Sequence, residues 1–395
     1  MMTNNTSSAT RTKRRWVMFG MAYLCIMSYT IIMQSVPPVL SLVMSDLNLS
    51  YTQGGLMMGF FTLPGIITSI PAGMIVDRYG HKSVGITAFA LTIIGTALVA
   101  SGNSILPLML GRAISGIGSM TLLMLAPRII AQWFAENEMG TAMGIYNTAM
   151  PIATVLSMTL LSLIGEMAGW RISIWVSAVL PAVTLIVFAL LFRASPWKGE
   201  KVTVASEGFF RSIKLAGAPI WFNGVAFLLF NAAVISIFTF TPDFLTATGI
   251  SITSAGLITS AIMWPTLIFC PLFGYLIDKV DRKKLMIALS SLVCTVLILL
   301  IPTSTDWMIG MMLLFGTIHS VIPVAIFALV PEIVHPKRLG LGFGIIATCQ
   351  SIGIAIGPPI AGVARDVIGT YQASYTLIAV FALLIILAMF ILRRS

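Results

Sequence analysis

The sequence predicts an all-α membrane protein of twelve transmembrane helices, arranged as two six-helix bundles related by internal pseudo-symmetry. Three observations carry that expectation. The 395 residues are 58% hydrophobic and 9% charged, with a mean hydropathy of +1.00, a balance outside the range of water-soluble globular chains. Apolar runs of about 20 residues, enough to cross ~30 Å of hydrocarbon at ~1.5 Å per residue, recur along the whole chain. Finally, the charged stretch Gly73-Met74-Ile75-Val76-Asp77-Arg78-Tyr79-Gly80-His81-Lys82 returns as Gly274-Tyr275-Leu276-Ile277-Asp278-Lys279-Val280-Asp281-Arg282-Lys283, displaced by 201 positions.

The apolar runs cover 16–44, 52–76, 83–101, 105–132, 140–165, 171–192, 219–243, 253–277, 285–302, 307–331, 340–364 and 371–392. None alternates with the strand period, and hydrocarbon offers no partner for backbone N–H and C=O groups, so each run is expected to be helical. The first run carries Tyr29 and Gln34 near its middle and Pro37-Pro38 in its outer third, where a kink or early stop is expected because proline removes a backbone donor. The second is rich in glycine, a composition that permits close helix contact. The fourth holds Gly111-Arg112-Ala113-Ile114-Ser115-Gly116-Ile117-Gly118, which puts a charge well inside a span. The fifth opens Gly140-Thr141-Ala142-Met143-Gly144, and the eleventh opens Gly340-Leu341-Gly342-Phe343-Gly344, an offset of 200; Pro127-Arg128 and Pro331-Glu332 are 204 apart. Matches at nearly one displacement point to duplication of a six-helix unit. The expected division is a tail at 1–15, one bundle at 16–192, a linker at 193–218, a second bundle at 219–392 and a tail at 393–395.

Charge distribution excludes a nucleic-acid reading of the net +10. The termini and alternate loops hold 20 of the 23 lysines and arginines, leaving Arg112, Arg171 and Arg365. By the positive-inside rule both termini are then cytoplasmic, and the chain is expected in the cell (inner) membrane with the lipid bilayer as its surroundings. The four cysteines, Cys25, Cys270, Cys294 and Cys349, all fall within spans and read as packing residues.

Enzyme chemistry lacks its parts. There are three histidines, no His/Glu set with metal-ligand spacing, no GxxxxGK[ST] phosphate loop and no GxSxG elbow. No cofactor and no metal are expected, and without a nucleotide motif ATP-driven pumping is unsupported. A gradient-driven carrier of a small molecule remains.

The duplicated loop resembles the signature that members of the major facilitator superfamily carry between their second and third helices. The first copy fits fully; the second has Asp281 in place of the pattern's glycine. Arg112, Gly116 and Gly118 match the fourth-helix motif of the same family, whose arginine is associated with the central cavity or with proton coupling. The resemblance covers approximately residues 16–392 and implies two six-helix halves that rock about a central site. It also implies gating roles for Gly73, Asp77, Arg78, Gly80, Lys82, Gly274, Asp278, Arg282, Arg128 and Glu332. Asp77 is expected near the start of the eleventh helix, Arg282 is a candidate partner for Glu332, and Arg78 is left to seek Glu136 or Glu138, contacts that would latch the cytoplasmic side in the outward-open state. Family members commonly act as monomers.

For substrate binding the candidates are Arg112 and His319, then Tyr29, Gln34, Tyr146, Asn147, Asn231, Trp264 and Gln350 at mid-span depth. Arg112 has two readings: a contact for a substrate anion or coupling proton, or a structural arginine held by backbone carbonyls. His319 is either a cavity proton site or a neutral histidine bonded to backbone. No carboxylate lies in the middle of a span, and Asp243 reads as a solvated acid at an outer helix end. The inventory leans to a small organic anion, carboxylate-like, carried by symport or antiport, with a coupling proton as a further partner. The alternatives are proton-driven efflux of an apolar or weakly charged drug-like compound, and a non-transporting membrane sensor.

Overall fold

Backbone groups in hydrocarbon must find partners within their own segment, and the chain answers with helix after helix. The computed structural model describes residues 3–134, 136–193, 217–279, 282–303, 306–335 and 339–394, and within these the side chains of all but 3–13, 67–78, 136, 137, 278, 340, 393 and 394. Among the described residues eleven spans are long and apolar enough to cross a membrane: α1 Arg14–Leu47, α3 His81–Ser101, α4 Ile105–Trp133, α5 Glu138–Ala168, α6 Trp170–Leu191, α7 Ala218–Ala247, α8 Ile252–Ile277, α9 Lys283–Thr303, α10 Met308–Ile333, α11 Leu341–Ile368 and α12 Tyr371–Leu392. Helix α2, Tyr51–Tyr79, makes the twelfth. Among the described residues there is no strand. Nearly all of the expected linker, residues 194–216, lies outside the described residues.

Proline explains where the helices break. A proline at position i has no N–H for the carbonyl of residue i−4, and its ring crowds that carbonyl. Turns interrupt α1 at Gln34-Ser35, α5 at Thr148, α6 at Ala178, α8 at Ala261-Ile262 and α10 at Ser320. Each lies three residues, or three and four for the α8 pair, before a proline: Pro37-Pro38, Pro151, Pro181, Pro265 and Pro323. The interruption of α1 therefore falls one turn earlier than the prolines themselves suggest. A 3-10 turn at Pro37–Val39 follows, and the span resumes as Leu40–Leu47, closed by Asn48 in the left-handed region at φ 49°. Pro127, Pro242, Pro271 and Pro331 sit inside continuous helices.

Burial sorts the helices into an inner and an outer set. Most of the membrane-length stretch of α7 is buried, against about a third of that of α6, and α6 leaves Leu190, Ile186 and Val183 exposed in the manner of a lipid-facing surface. Glycine lets the inner helices approach. A Cβ on Gly116 of α4 would stand 1.9 Å from the Phe61 carbonyl oxygen of α2, and one on Gly316 of α10 would stand 2.2 Å from that of Ile262 on α8. These contacts are displaced by 200 and 201 positions, so the duplication read in the loops extends to packing. The connections agree: Gly169 between α5 and α6 and Gly369 between α11 and α12 have φ of 84° and 79°, a conformation glycine adopts without strain.

The halves meet tightly at the face opposite the termini. There a Cβ on Gly55 of α2 would meet the Pro358 carbonyl oxygen of α11 at 2.4 Å, and one on Gly256 of α8 the Met158 carbonyl oxygen of α5 at 2.1 Å. At the face bearing the termini, Gly140 and Gly144 of α5 and Gly344 of α11 have no atom of the described residues within 4 Å of an added Cβ, and Ile145 and Phe343 are exposed. The cleft between the halves is sealed at one end and splayed at the other.

Candidate functional site

Arg112 is 1% exposed, the largest of the fully buried side chains. Its partners follow from the break in α1. Pro37 and Pro38 cannot donate to the carbonyls of Met33 and Gln34, which would otherwise stay orphaned in the protein interior. Arg112 Nη2 donates to Met33 O at 3.1 Å, Nη1 donates to Ile32 O at 2.7 Å, and Ser157 Oγ of α5 donates to Gln34 O at 2.9 Å. Arg112 Nε donates to Met57 O of α2 at 2.9 Å, and the guanidinium lies 4.4 Å from the centroid of Phe61. The side chain thus ties α4 to α1 and α2. Its described partners are neutral, so the donors are engaged while the charge stays uncompensated.

The second half supplies an internal comparison. At the repeat displacement of 200, Pro37-Pro38 correspond to Ile237-Phe238 and Arg112 to Met312. Helix α7 runs unbroken from Ala218 to Ala247, and Met312 is fully buried. Where the prolines are missing, so is the arginine.

The remaining candidates divide between the two halves. In the first, Tyr29 OH donates to Met33 Sδ at 3.2 Å and its ring lies 6.0 Å from Phe61, one side of which faces Arg112. Gln34 is 4% exposed and its Oε1 is buried without a partner; Tyr146 OH and Ser28 Oγ are in the same situation. Such groups cost about 1–3 kcal/mol unless water or a solute meets them. Ser28 was invisible in the sequence because a lone serine in a helix normally bonds its own backbone. Asn147, beside the turn at Thr148, is exposed.

In the second half, Asn231 Nδ2 donates to Phe227 O at 2.8 Å, and Gln350 Nε2 of α11 approaches Asn231 Oδ1 at 3.5 Å, so these two candidates are brought together. His319 is 4% exposed, with Nδ1 2.8 Å from Gly316 O. Its ring is stacked between Phe230 at 5.9 Å and Phe315 at 5.4 Å. Trp264 is 45% exposed. Among the described residues no three His, Cys, Asp or Glu side chains gather to hold a metal.

Several expectations about charges need correction. Asp243 is not solvated: it is 5% exposed and accepts from Tyr371 OH at 2.7 Å, because α12 folds back over the end of α7. Glu332 pairs with Lys283 rather than Arg282, since Lys283 opens α9 and lies one residue nearer the helix. Glu138 is taken by Arg15 at 2.7 Å. Of the other gating candidates, Gly80 has φ of 79° between α2 and α3, Lys82 and Arg128 are exposed, and a Cβ on Gly274 would lie 4.0 Å from Val324. The side chains of Asp77, Arg78 and Asp278 and the surroundings of Gly73 lie outside the described residues.

A family model described as Major Facilitator Superfamily matches residues 22–249 and 222–395. The hexuronate transporter of Bacillus subtilis (strain 168) is 22% identical over 375 residues, 87% of this chain and 87% of that protein. The lysosomal dipeptide transporter MFSD1 of Bos taurus is 23% identical over 346 residues, 82% of this chain and 74% of that protein. A solved bacterial homolog of the human lysosomal transporter Spinster, inward-facing and unoccupied, has the same fold at a TM-score of 0.81 and 17% identity, covering 96% of this chain and 97% of that one. With the helix count, the duplicated halves and a family match that spans almost the whole sequence, this chain belongs to the Major Facilitator Superfamily of membrane transporters and is not an enzyme.

Proposed function

We propose that this protein carries a small organic anion bearing a carboxylate across the cell membrane by alternating access, in symport or antiport, with both termini in the cytoplasm and the single chain as the working unit. The observation that carries the reading is the uncompensated charge of Arg112. Its hydrogen bonds end on carbonyl oxygens, a thioether and a ring face, none of which cancels a full positive charge. Among the described residues no carboxylate reaches it. A substrate carboxylate about 6 Å away would gain ~3 kcal/mol at an effective dielectric of ~20, roughly a hundredfold in affinity.

Arg112 therefore acts through its field, while the hydrogen-bonding contacts fall to Gln34, Tyr146 and Ser28 on one half and to Asn231, Gln350 and His319 on the other. Hexuronates and dipeptides, the substrates in the names of two relatives, both carry carboxylates, which supports the class. The splayed face bears the termini, so the conformation described is inward-open on the charge-based topology, and a proton is the proposed coupling ion.

Uptake into proteoliposomes, run with matched carboxylates and their amides, tests the substrate class. Carboxylates should be carried and amides should not; flux of cationic or uncharged drug-like compounds alone would overturn the reading in favour of efflux, and the absence of any flux would favour a sensor. For the best carboxylate, Arg112→Gln should lower affinity about a hundredfold and Arg112→Lys much less. Unchanged affinity in Arg112→Gln would remove the residue from binding.

A further inference from the structure

At the sealed face the two halves are joined by a pair of contacts that are copies of one another. Asp366, at the end of α11, accepts the main-chain N–H groups of Tyr51 at 2.9 Å and Thr52 at 2.8 Å and the Thr52 hydroxyl at 2.5 Å. Glu166, at the end of α5, accepts the main-chain N–H of Thr253 at 2.7 Å and its hydroxyl at 2.6 Å. Tyr51-Thr52 open α2 and Ile252-Thr253 open α8, so a carboxylate of each half caps a helix of the other. The first-turn N–H groups of a helix have no partner within it and sit at the positive end of its dipole.

The correspondence runs residue by residue. Glu166 and Asp366 are 200 apart, Thr52 and Thr253 are 201 apart, and the same displacements relate Gly55 to Gly256 and Met158, the neighbour of Gly256, to Pro358, the neighbour of Gly55. Helix capping inside a half would need no such pairing across halves. The two copies differ in one respect. Tyr51 OH lies 3.2 Å from Tyr371 OH, which donates to the buried Asp243, and the Arg365 guanidinium stands over the rings of Tyr51 and Tyr371 at 4.9 and 4.1 Å. The equivalent of Tyr51 is Ile252, which offers no hydroxyl and no ring.

We propose that Glu166 and Asp366 are the two arms of a latch that holds the face opposite the termini shut, the Asp366 arm being the stronger. Every bond in it crosses between halves and breaks when that face opens. Both carboxylates and both helix ends are exposed enough to rehydrate on opening, so the latch biases the equilibrium without locking it. The proposal rests on the relative motion of the halves and is independent of which solute is carried.

The test is a distance measurement by spin labels in nanodiscs without substrate, on protein whose four native cysteines are changed to alanine. One label pair joins exposed Ser45 and Val367, and the other joins exposed Met167 and Ala247. Glu166→Ala should raise the population with long distances about fivefold, the weight of one helix cap. Asp366→Ala should raise it further, and the double variant by roughly the product of the two. Glu166→Gln and Asp366→Asn keep an acceptor oxygen and should shift it in the same direction by less; they decide the matter if an alanine variant fails to fold. Folded variants with unchanged distance distributions, even with lowered melting temperatures, would reduce both carboxylates to structural caps and overturn the latch. A substrate class other than carboxylates would leave these distances unaffected and bear on the transport reading alone.

Discussion

Pro37→Ala should make Arg112→Met cheaper. In the native chain Met33 O receives no bond from residue 37 and is served by Arg112 Nη2 at 3.1 Å, so replacing the arginine orphans a buried carbonyl at about 1–3 kcal/mol. The other two acceptors lose less. Ile32 O keeps the Ser35 hydroxyl at 2.8 Å, and Met57 lies within the continuous helix α2, where the N–H four residues on serves its carbonyl. Removing the guanidinium also removes a buried charge whose desolvation is costly, but that relief is common to both backgrounds and cancels in a double-mutant cycle. An alanine in place of Pro37 supplies an N–H that can take Met33 O, and the orphan disappears. The cycle of wild type, Pro37→Ala, Arg112→Met and the double variant should therefore show a coupling of about 1–2 kcal/mol, read from denaturant unfolding in mixed micelles. Additivity within about 0.5 kcal/mol would refute the account of Arg112 as the partner of the prolines.

Three further outcomes follow from the geometry. Gly55→Leu or Gly256→Leu cannot close the sealed face, because even a Cβ there meets a carbonyl oxygen at 2.4 or 2.1 Å; transport should be abolished with the protein still folded, and normal uptake would contradict the packing. Glu332→Gln should change the melting temperature little, since Glu332 is half exposed although its partner Lys283 is 14% exposed, and a pair open to solvent on one side contributes about 0–1 kcal/mol; a large, salt-insensitive loss would show that the pair is screened from solvent. Asp77→Asn should slow turnover more than it weakens substrate binding, a split that transport kinetics beside equilibrium binding would resolve; a large affinity loss at normal maximal rate would refute a gating role.

How much of this was legible in the sequence depended on how local the cause was. The spans were readable because hydrocarbon thickness sets their length, and the duplication because equal spacing survives substitution. The break in α1 was visible in Pro37-Pro38, though its place was not, since a proline acts on the carbonyl four residues behind it. Asp243 misled because its position near a helix end says nothing of Tyr371, which reaches it from 128 residues away. The Glu166 and Asp366 caps have a counterpart in the sequence: a threonine followed three residues on by a glycine, at Thr52-Gly55 and again at Thr253-Gly256. Arg112 stands out in the sequence by its depth and by the fourth-helix motif it shares with Gly116 and Gly118, and its alternatives stay open there because only the fold decides whether its donors are already engaged.

The contrast between α1 and α7 has a consequence for how two copies of one unit come to do different work. Helix α7 is one continuous helix of 30 residues, while α1, its counterpart, is jointed at Gln34 and pinned there by Arg112 and Ser157. A rod transmits tilt along its whole length; a jointed strut can bend at the middle while its ends stay put. The duplicated unit thus carries a joint at Gln34-Ser35 in one copy and an unbroken helix at the same place in the other, so the two halves differ in where they can bend.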